Sequence, residues 1–261
     1  MEIGYPSVAQ HDTQSGTAKD SVLAGAFEDA VANLNIEQLR KSYWDRNECL
    51  VLPEFLPPGV VDECLALRAE ELAPRVVRNF IPGHKKGGSV SYYLLREHAP
   101  SVVALYQSPA LIDFFSRLVG APLMVCPEDD PHSCALYYYT EPGDHIGFHY
   151  DTSYYKGARY TVLLGIVNRA PSCRLVCHFH KDDPSRETEE VHLATDPGTL
   201  VVFNGDKLYH AVSPLSPGKE RVVLTLEYVT NQEMGRFQRL FSNLKDAFGY
   251  FGPAALFKRK R

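Results

Sequence analysis

Two histidines and one aspartate in this 261-residue chain have the types and the spacing of ligands for one metal ion. His149 and Asp151 are two residues apart, so in a β-strand both side chains would point to the same face. His210 lies on a second short strand-like segment and can supply a third ligand from across a barrel. Two imidazoles and one carboxylate on one side of a metal form a facial triad, which suits Fe(II) and leaves coordination positions open.

Arg221 follows His210 by eleven residues, on the next strand-like segment. A hairpin over residues 213–219 would bring the guanidinium beside the metal ligands, where its planar fork of donors suits a carboxylate. Alternation places Thr225 and Glu227 on the same inward face as Arg221, and Thr225 is a candidate hydrogen-bond donor there. For Glu227 two interpretations stay open, a substrate ammonium or a protein cation, because a lone buried carboxylate is costly.

Two further side chains flank the His149 segment and are candidates for contacts with a substrate. His145 shares the strand parity of His149, which would place it at the rim of the pocket, although it also follows a Pro-Gly-Asp turn. Tyr155 lies in the loop directly after Asp151 and either covers the substrate or holds the loop in place.

Short β-rich segments separated by turn residues occupy residues 123–230 and contain all of these candidates. This pattern predicts a β-sandwich or barrel. The predicted strands cover residues 123–126, 133–140, 146–151, 159–167, 174–180, 188–193, 199–204, 207–212 and 220–230.

The rest of the chain is predicted to be mostly helical, with helices over residues 21–42, 60–72 and 108–118 and strands over residues 49–52 and 87–95. We expect a flexible tail over residues 1–20 and one domain over residues 21–261. That domain comprises a helical part (21–122), a jelly-roll core (123–230) and a C-terminal helix (231–250). The predicted fold class is mainly β with flanking α.

Composition narrows the range of partners. Hydrophobic residues make up 44% of the chain and charged residues 23%, which is typical of a soluble globular protein. The net charge of −5 provides no basic field for nucleic acid. We find neither an apolar run of about 18 residues nor a secretory signal, so the chain is predicted to be cytoplasmic, without membrane contact. The pair Cys173 and Cys177 lacks a second half-site of matching spacing, which disfavours zinc.

Four segments of the chain together resemble the iron(II)/2-oxoglutarate-dependent dioxygenases, in particular the prolyl-hydroxylase-like branch. The segments that carry the resemblance are Gly147-Phe148-His149-Tyr150-Asp151, Pro197-Gly198-Thr199-Leu200-Val201-Val202-Phe203, Leu208-Tyr209-His210-Ala211-Val212 and Glu220-Arg221. The resemblance implies a double-stranded β-helix core of the jelly-roll or cupin type. It also implies that His149, Asp151 and His210 bind Fe(II) and that Arg221 binds the distal carboxylate of 2-oxoglutarate. No other catalytic residue is expected, and O2 is the second co-substrate.

The resemblance also implies that Tyr137 or Tyr139, which share one face of the strand before His149, contacts 2-oxoglutarate. The activity it implies is oxidation of an unactivated C–H bond, most often hydroxylation with release of succinate and CO2. Similar enzymes of this size modify free amino acids, so we expect a small-molecule substrate such as an amino acid or a derivative. Lysine halogenases are among these relatives, but halogenases carry a small residue at the position of Asp151, which disfavours halogenation.

Two alternatives stay open. One is an oxygenase that acts on a protein side chain, as prolyl hydroxylases do. The other is a non-enzymatic, cupin-like metal-binding protein, against which the spacing of Arg221 argues. The sequence does not indicate the oligomeric state.

Overall fold

The structure is a computed structural model that describes residues 11–151 and 155–233, and its helices lie in the first half of the chain. They are α1 (His11–Ala32), α2 (Ile36–Asp45), α3 (Pro58–Val60), α4 (Leu67–Leu72), α5 (Tyr92–His98), α6 (Pro100–Tyr106) and α7 (Pro109–Val119). A π-helical turn, Val61–Ala66, joins α3 to α4, and a 3-10 turn, Ala73–Arg75, follows α4. Gly120 ends α7 in the left-handed conformation with φ of 77°, which glycine adopts without strain.

Among the described residues, twelve strands form one antiparallel sheet that curls into the core of the protein. They are β1 (Cys49–Leu52), β2 (Val77–Ile81), β3 (Lys85–Val90), β4 (Met124–Val125), β5 (Cys134–Tyr139), β6 (His145–His149), β7 (Arg159–Asn168), β8 (Leu175–Phe179), β9 (Glu189–Leu193), β10 (Leu200–Asn204), β11 (Tyr209–Val212) and β12 (Arg221–Val229). Each of the nine strands predicted between residues 123 and 230 is present.

The strand order is β1-β10-β7-β12-β5-β3-β6-β11-β8-β9, with β2 paired to β3 and β4 paired to β12. Along the chain, strands β5 to β12 alternate between the group β10-β7-β12-β5 and the group β6-β11-β8-β9, except that the consecutive strands β8 and β9 pair with each other in the second group. This arrangement is the double-stranded β-helix, so the predicted fold class is confirmed. Strand β3 joins the two groups because it pairs with both β5 and β6.

The largest apolar cluster lies between the helices and the outer face of the group that contains β12. It includes Phe27 of α1 and Phe115 of α7, together with Val222 and Leu224 of β12. Val223 belongs instead to a second cluster, which fills the space between the two groups of strands. The odd-numbered residues of β12 therefore face the interior of the barrel.

The N-terminal predictions need correction. Helix α1 begins at His11, within the segment predicted as a flexible tail (1–20), and residues 1–10 lie outside the described part of the chain, so the flexibility of the tail stays a prediction. The predicted helix over residues 21–42 spans parts of two helices. Asn35 interrupts it, because its side chain accepts a hydrogen bond from the Gln38 N–H at 3.2 Å and so caps α2.

The segment predicted as a strand over residues 87–95 is only partly a strand. Strand β3 ends at Val90 and helix α5 follows, with Tyr92, Tyr93 and Leu95 buried. Burial of these side chains overrides the strand preference of the tyrosines. The part predicted as helical (21–122) also supplies β1, β2 and β3 to the sheet. Most of the predicted C-terminal helix (231–250) lies outside the described residues.

One stretch in the described part of the chain, Pro100–Val119, is long and apolar enough to cross a membrane, by length and composition only. Half of it is buried inside the protein, and the structure divides it into α6 and α7. Buried core helices pass the same test, so the expectation of no membrane contact stays a prediction.

Candidate metal and co-substrate site

The metal-ligand candidates meet at one end of the barrel. His149 ends β6, and His210 lies directly opposite it on β11, with the ring centres 4.4 Å apart. Asp151 follows β6 by two residues, and its backbone N–H donates to the Gly205 carbonyl at 2.9 Å. The ligand atoms of the three residues all lie within 4.8 Å of one another, and they form the one such group among the described residues.

Both imidazoles direct Nε2 toward the place where the three ligand groups meet. Nδ1 of His149 lies 2.9 Å from the Gly147 carbonyl, and Nδ1 of His210 lies 2.8 Å from the Leu208 carbonyl. A carbonyl only accepts hydrogen bonds, so Nδ1 carries the proton in the neutral ring and Nε2 is the nitrogen of each ring that can bind a metal. Burial lowers the pKa of His210 below its usual value, which keeps this imidazole in the neutral form that binds metals.

Asp151 completes the donor set as a carboxylate. Its Oδ1 lies 3.3 Å from His149 Nε2 and 3.7 Å from His210 Nε2. Burial raises the pKa of Asp151, but the positive charge that His210 and His149 carry when protonated outweighs burial and, together with the Arg159 guanidinium, holds this pKa well below its usual range, so Asp151 is ionised. Two neutral imidazole nitrogens and one ionised carboxylate oxygen fit Fe(II), which can activate O2 and oxidise C–H bonds when bound.

A bulge in β6 determines which side chains join the triad. His210 and Val212 of β11 pair with His149 and Ile146 of β6, so three steps on β6 match two on β11. Ile146 and His149 therefore share the inner face, and His145 lies on the opposite face. The expectation that His145 shares the parity of His149 is wrong for this reason. Nδ1 of His145 lies 2.8 Å from the carbonyl of Gly143, in the preceding turn.

Arg221 lies deeper in the barrel and is 1% exposed. Its Nε donates to the Thr195 hydroxyl at 2.9 Å, and its guanidinium lies 4.9 Å from the centre of the Tyr139 ring. These two contacts hold the Arg221 side chain inside the barrel. Thr225 is also buried, and it lies four residues after Arg221 on the same face of β12. Binding of 2-oxoglutarate by Arg221 and Thr225 stays a prediction.

The two candidate tyrosines have different neighbours. Tyr139 is the one that packs against Arg221. Burial raises the pKa of Tyr139 to about 12, so its hydroxyl is protonated at neutral pH. The Tyr137 hydroxyl lies 3.0 Å from His132 Nδ1, and the Lys85 ammonium lies 5.0 Å from the Tyr137 ring centre. Contact of either tyrosine with 2-oxoglutarate stays a prediction.

Glu227 forms an ion pair with a protein cation, which is one of the two partners that the sequence left open for it. Arg159 Nε lies 3.0 Å from Glu227 Oε2, and both side chains are nearly buried. Burial raises the pKa of Glu227, while Arg159 opposes this shift. Tyr155 is 6% exposed, and its hydroxyl donates to Asp130 at 2.8 Å, which anchors this side chain. Substrate contacts of Glu227, His145 and Tyr155 stay predictions.

Four buried polar side chains of the barrel were not predicted from the sequence as part of the site. They are Lys85 on β3, Arg159 and Thr161 on β7, and Thr195 after β9. Strand parity could have indicated these residues, because a polar residue that alternation places on an inward face needs a partner there. The register of β3 and β7 against their neighbours, which parity requires, comes only from the folded structure.

The fold and this site define an Fe(II)/2-oxoglutarate-dependent oxygenase. A double-stranded β-helix carries the His149–Asp151–His210 donor set at one end and buried Arg221 within. The family model described as HalD, Halogenase D, matches residues 31–239. The chain therefore belongs to the Halogenase D family, and it uses iron, 2-oxoglutarate and O2. The non-enzymatic, cupin-like alternative is thereby excluded.

Solved structures with the same fold include several oxygenases. The α-ketoglutarate-dependent epimerase SnoN from nogalamycin biosynthesis is 16% identical, with a TM-score of 0.62 over 78% of this chain and 86% of SnoN. A 2OG-Fe(II) oxygenase from Burkholderia pseudomallei is 17% identical, with a TM-score of 0.58 over 78% and 95%. A prolyl-4-hydroxylase from Pseudomonas putida is 15% identical, with a TM-score of 0.53 over 76% and 100%. No curated protein sequence matches the chain.

Proposed function

We propose that the protein hydroxylates an unactivated C–H bond of a small molecule, an amino acid or a derivative of one, with release of succinate and CO2. The observation that carries this proposal is the carboxylate of Asp151 beside the two imidazoles. In a halogenase a small residue at this position leaves room for chloride. Here the carboxylate takes that position, which favours transfer of oxygen although the family is described as halogenases.

Charged side chains inside the barrel support a polar substrate. Lys85 is 1% exposed and Glu227 is 4% exposed, and the Arg159 side chain is 11% exposed. A buried charge is costly, and a protein keeps it where the charge has a use or a partner. Buried cations and a buried acid are groups that can bind the carboxylate and the ammonium of an amino acid.

The experiment is a substrate screen with the purified protein, Fe(II), 2-oxoglutarate and O2. Free amino acids form one arm and prolyl peptides form the other, and each is assayed for succinate and for the mass of the product. We expect succinate release that depends on one amino acid or derivative, with a product that has gained one oxygen atom.

The other outcomes separate the alternatives. Succinate release with peptides alone would support an oxygenase that acts on protein side chains. A chlorinated product in buffer with chloride would contradict the role given to Asp151. The control is Asp151→Asn, which keeps the shape of the side chain and removes its charge, and which we expect to be inactive.

A further inference from the structure

A buried hydroxyl group connects Asp151 to a buried ion pair. Thr161 is 2% exposed, and its Oγ1 lies 2.7 Å from Asp151 Oδ2 and 3.0 Å from Glu227 Oε2. The same oxygen of Glu227 accepts a hydrogen bond from Arg159 Nε at 3.0 Å. A threonine hydroxyl has one proton, so it can donate to only one of the two carboxylates at a time.

The surroundings direct this proton to Asp151. Glu227 already accepts a hydrogen bond from Arg159, and the contact of Thr161 with Asp151 is the shorter of the two. A hydrogen bond from a hydroxyl to an ionised carboxylate is stronger than one between neutral groups. Asp151 Oδ2 is therefore occupied, while Oδ1 is the oxygen that lies near the two imidazoles.

The backbone at Gly205 encloses the same group from another side. A Cβ at this position would lie 2.8 Å from Asp151 Cβ, 3.0 Å from Asp151 Oδ2 and 3.0 Å from Thr161 Oγ1. Only a residue without a side chain allows this close approach. Asp151 is thus held by its backbone N–H, by the Thr161 hydroxyl and by the lack of space around its carboxylate.

We propose that Thr161 is a positioning residue that holds Asp151 Oδ2 and so makes Oδ1 the single oxygen that Asp151 offers to the metal. The proposal rests on the assignment of His149, Asp151 and His210 as metal ligands. A carboxylate whose two oxygens are both free can bind a metal through one oxygen or through both. By holding one oxygen, Thr161 keeps the remaining coordination positions open for the co-substrates.

Metal affinity tests the proposal without relying on turnover. Co(II) is titrated into anaerobic apo-protein and followed by visible absorption, for the wild type, Thr161→Val and Thr161→Ser. Valine keeps the shape of threonine and removes the hydroxyl, whereas serine retains it. We expect Thr161→Val to weaken Co(II) affinity about 10–100-fold, since loss of a partner that orients a ligand has effects of this size. Thr161→Ser should stay close to the wild type.

A double-mutant cycle shows whether Thr161 acts through Asp151. In an Asp151→Gly background, we expect Thr161→Val to leave the remaining Co(II) affinity unchanged, because the carboxylate that the hydroxyl orients is gone. An equal loss in both backgrounds overturns the proposal. If Thr161→Val does not fold, judged by circular dichroism of the apo-protein, Thr161→Ala replaces it in the same comparison with Thr161→Ser.

Different results would contradict the assignment of the metal ligands and the role of Thr161. A wild-type protein that is folded but binds no Co(II) contradicts the assignment of the metal ligands and hence the proposed function. A wild-type protein that binds Co(II), together with a Thr161→Val variant that binds it equally well, contradicts the role of Thr161 alone.

Discussion

His149 and His210 are direct cross-strand partners, with ring centres 4.4 Å apart, although His149 follows an irregularity in its strand. The extra residue between Ile146 and His149 turns the end of β6, so that the imidazole of His149 faces His210. Without it, strand alternation would place His145 on the inner face. The bulge therefore selects which histidine of β6 faces His210.

This relationship predicts the effect of removing each histidine of β6 and its partner His210 on β11. His149→Ala and His210→Ala should each abolish iron binding and turnover, because each removes an imidazole ligand. His145→Ala is the matched control on the same strand, and it should retain bound iron because this side chain lies on the opposite face. The measurement is iron content after anaerobic loading and desalting. Loss of iron in His145→Ala alone would contradict the face assignment.

Replacement of Arg221 should impair binding of 2-oxoglutarate. Fe(II) and 2-oxoglutarate together give a weak visible charge-transfer band under anaerobic conditions, and Arg221→Ala should weaken this band. Arg221→Lys should restore part of it, because lysine keeps the charge but not the fork of donors. The matched control is Arg169→Ala, whose side chain is 77% exposed and pairs with Glu220. An undiminished band in Arg221→Ala would assign the 2-oxoglutarate carboxylate to another cation.

Removal of the Asp151 carboxylate should separate metal binding from oxygen transfer. Asp151→Gly keeps both imidazoles and opens a coordination position that chloride can take, so we expect hydroxylation to be lost. The measurement is the mass of the product with and without chloride in the buffer. Normal hydroxylation by this variant would contradict the assignment of Asp151 as a ligand.

A buried carboxylate far from the triad predicts a dependence of stability on pH. Asp144 is 0% exposed and accepts hydrogen bonds from Arg78 at 2.6 and 2.9 Å and from the N–H groups of Thr140 and Glu141. Burial raises the pKa of Asp144, but these donors outweigh burial and lower it below the usual value. The resulting stability is present above the pKa of the unfolded chain and is lost as the pH falls through the lower pKa of the folded state.

Asp144→Asn should therefore lower the free energy of unfolding at neutral pH by about 1.5–3 kcal/mol, the scale for hydrogen bonds to a charged group. The difference from the wild type should shrink in acid. The measurement is urea denaturation at neutral and at acidic pH. Asp113→Asn is the control, since Asp113 is 69% exposed and lies 3.8 Å from Arg117, and it should change stability by less than about 0.5 kcal/mol. A difference for Asp144→Asn that is independent of pH would contradict the argument.

Local patterns in the sequence were sufficient to predict the strands of the core. Alternation and turn residues predicted all nine strands between residues 123 and 230, and parity placed Arg221, Thr225 and Glu227 on the inner face of β12. These predictions hold because β12 pairs with β5 without a break in register, so that successive side chains of β12 point to alternate faces. The same rule failed for His145, because a bulge shifts the parity and leaves no reliable mark in the sequence.

Residue types and their order along the chain specify the chemistry of the site, which is that of two imidazoles, a carboxylate and an arginine. How these groups are held follows from contacts that form only in the folded chain. Thr161 meets Asp151, and Arg159 meets Glu227, through contacts between separate elements of the chain. Tyr92 likewise became helical through packing rather than propensity. Such contacts depend on the register between distant segments, and local sequence does not encode that register.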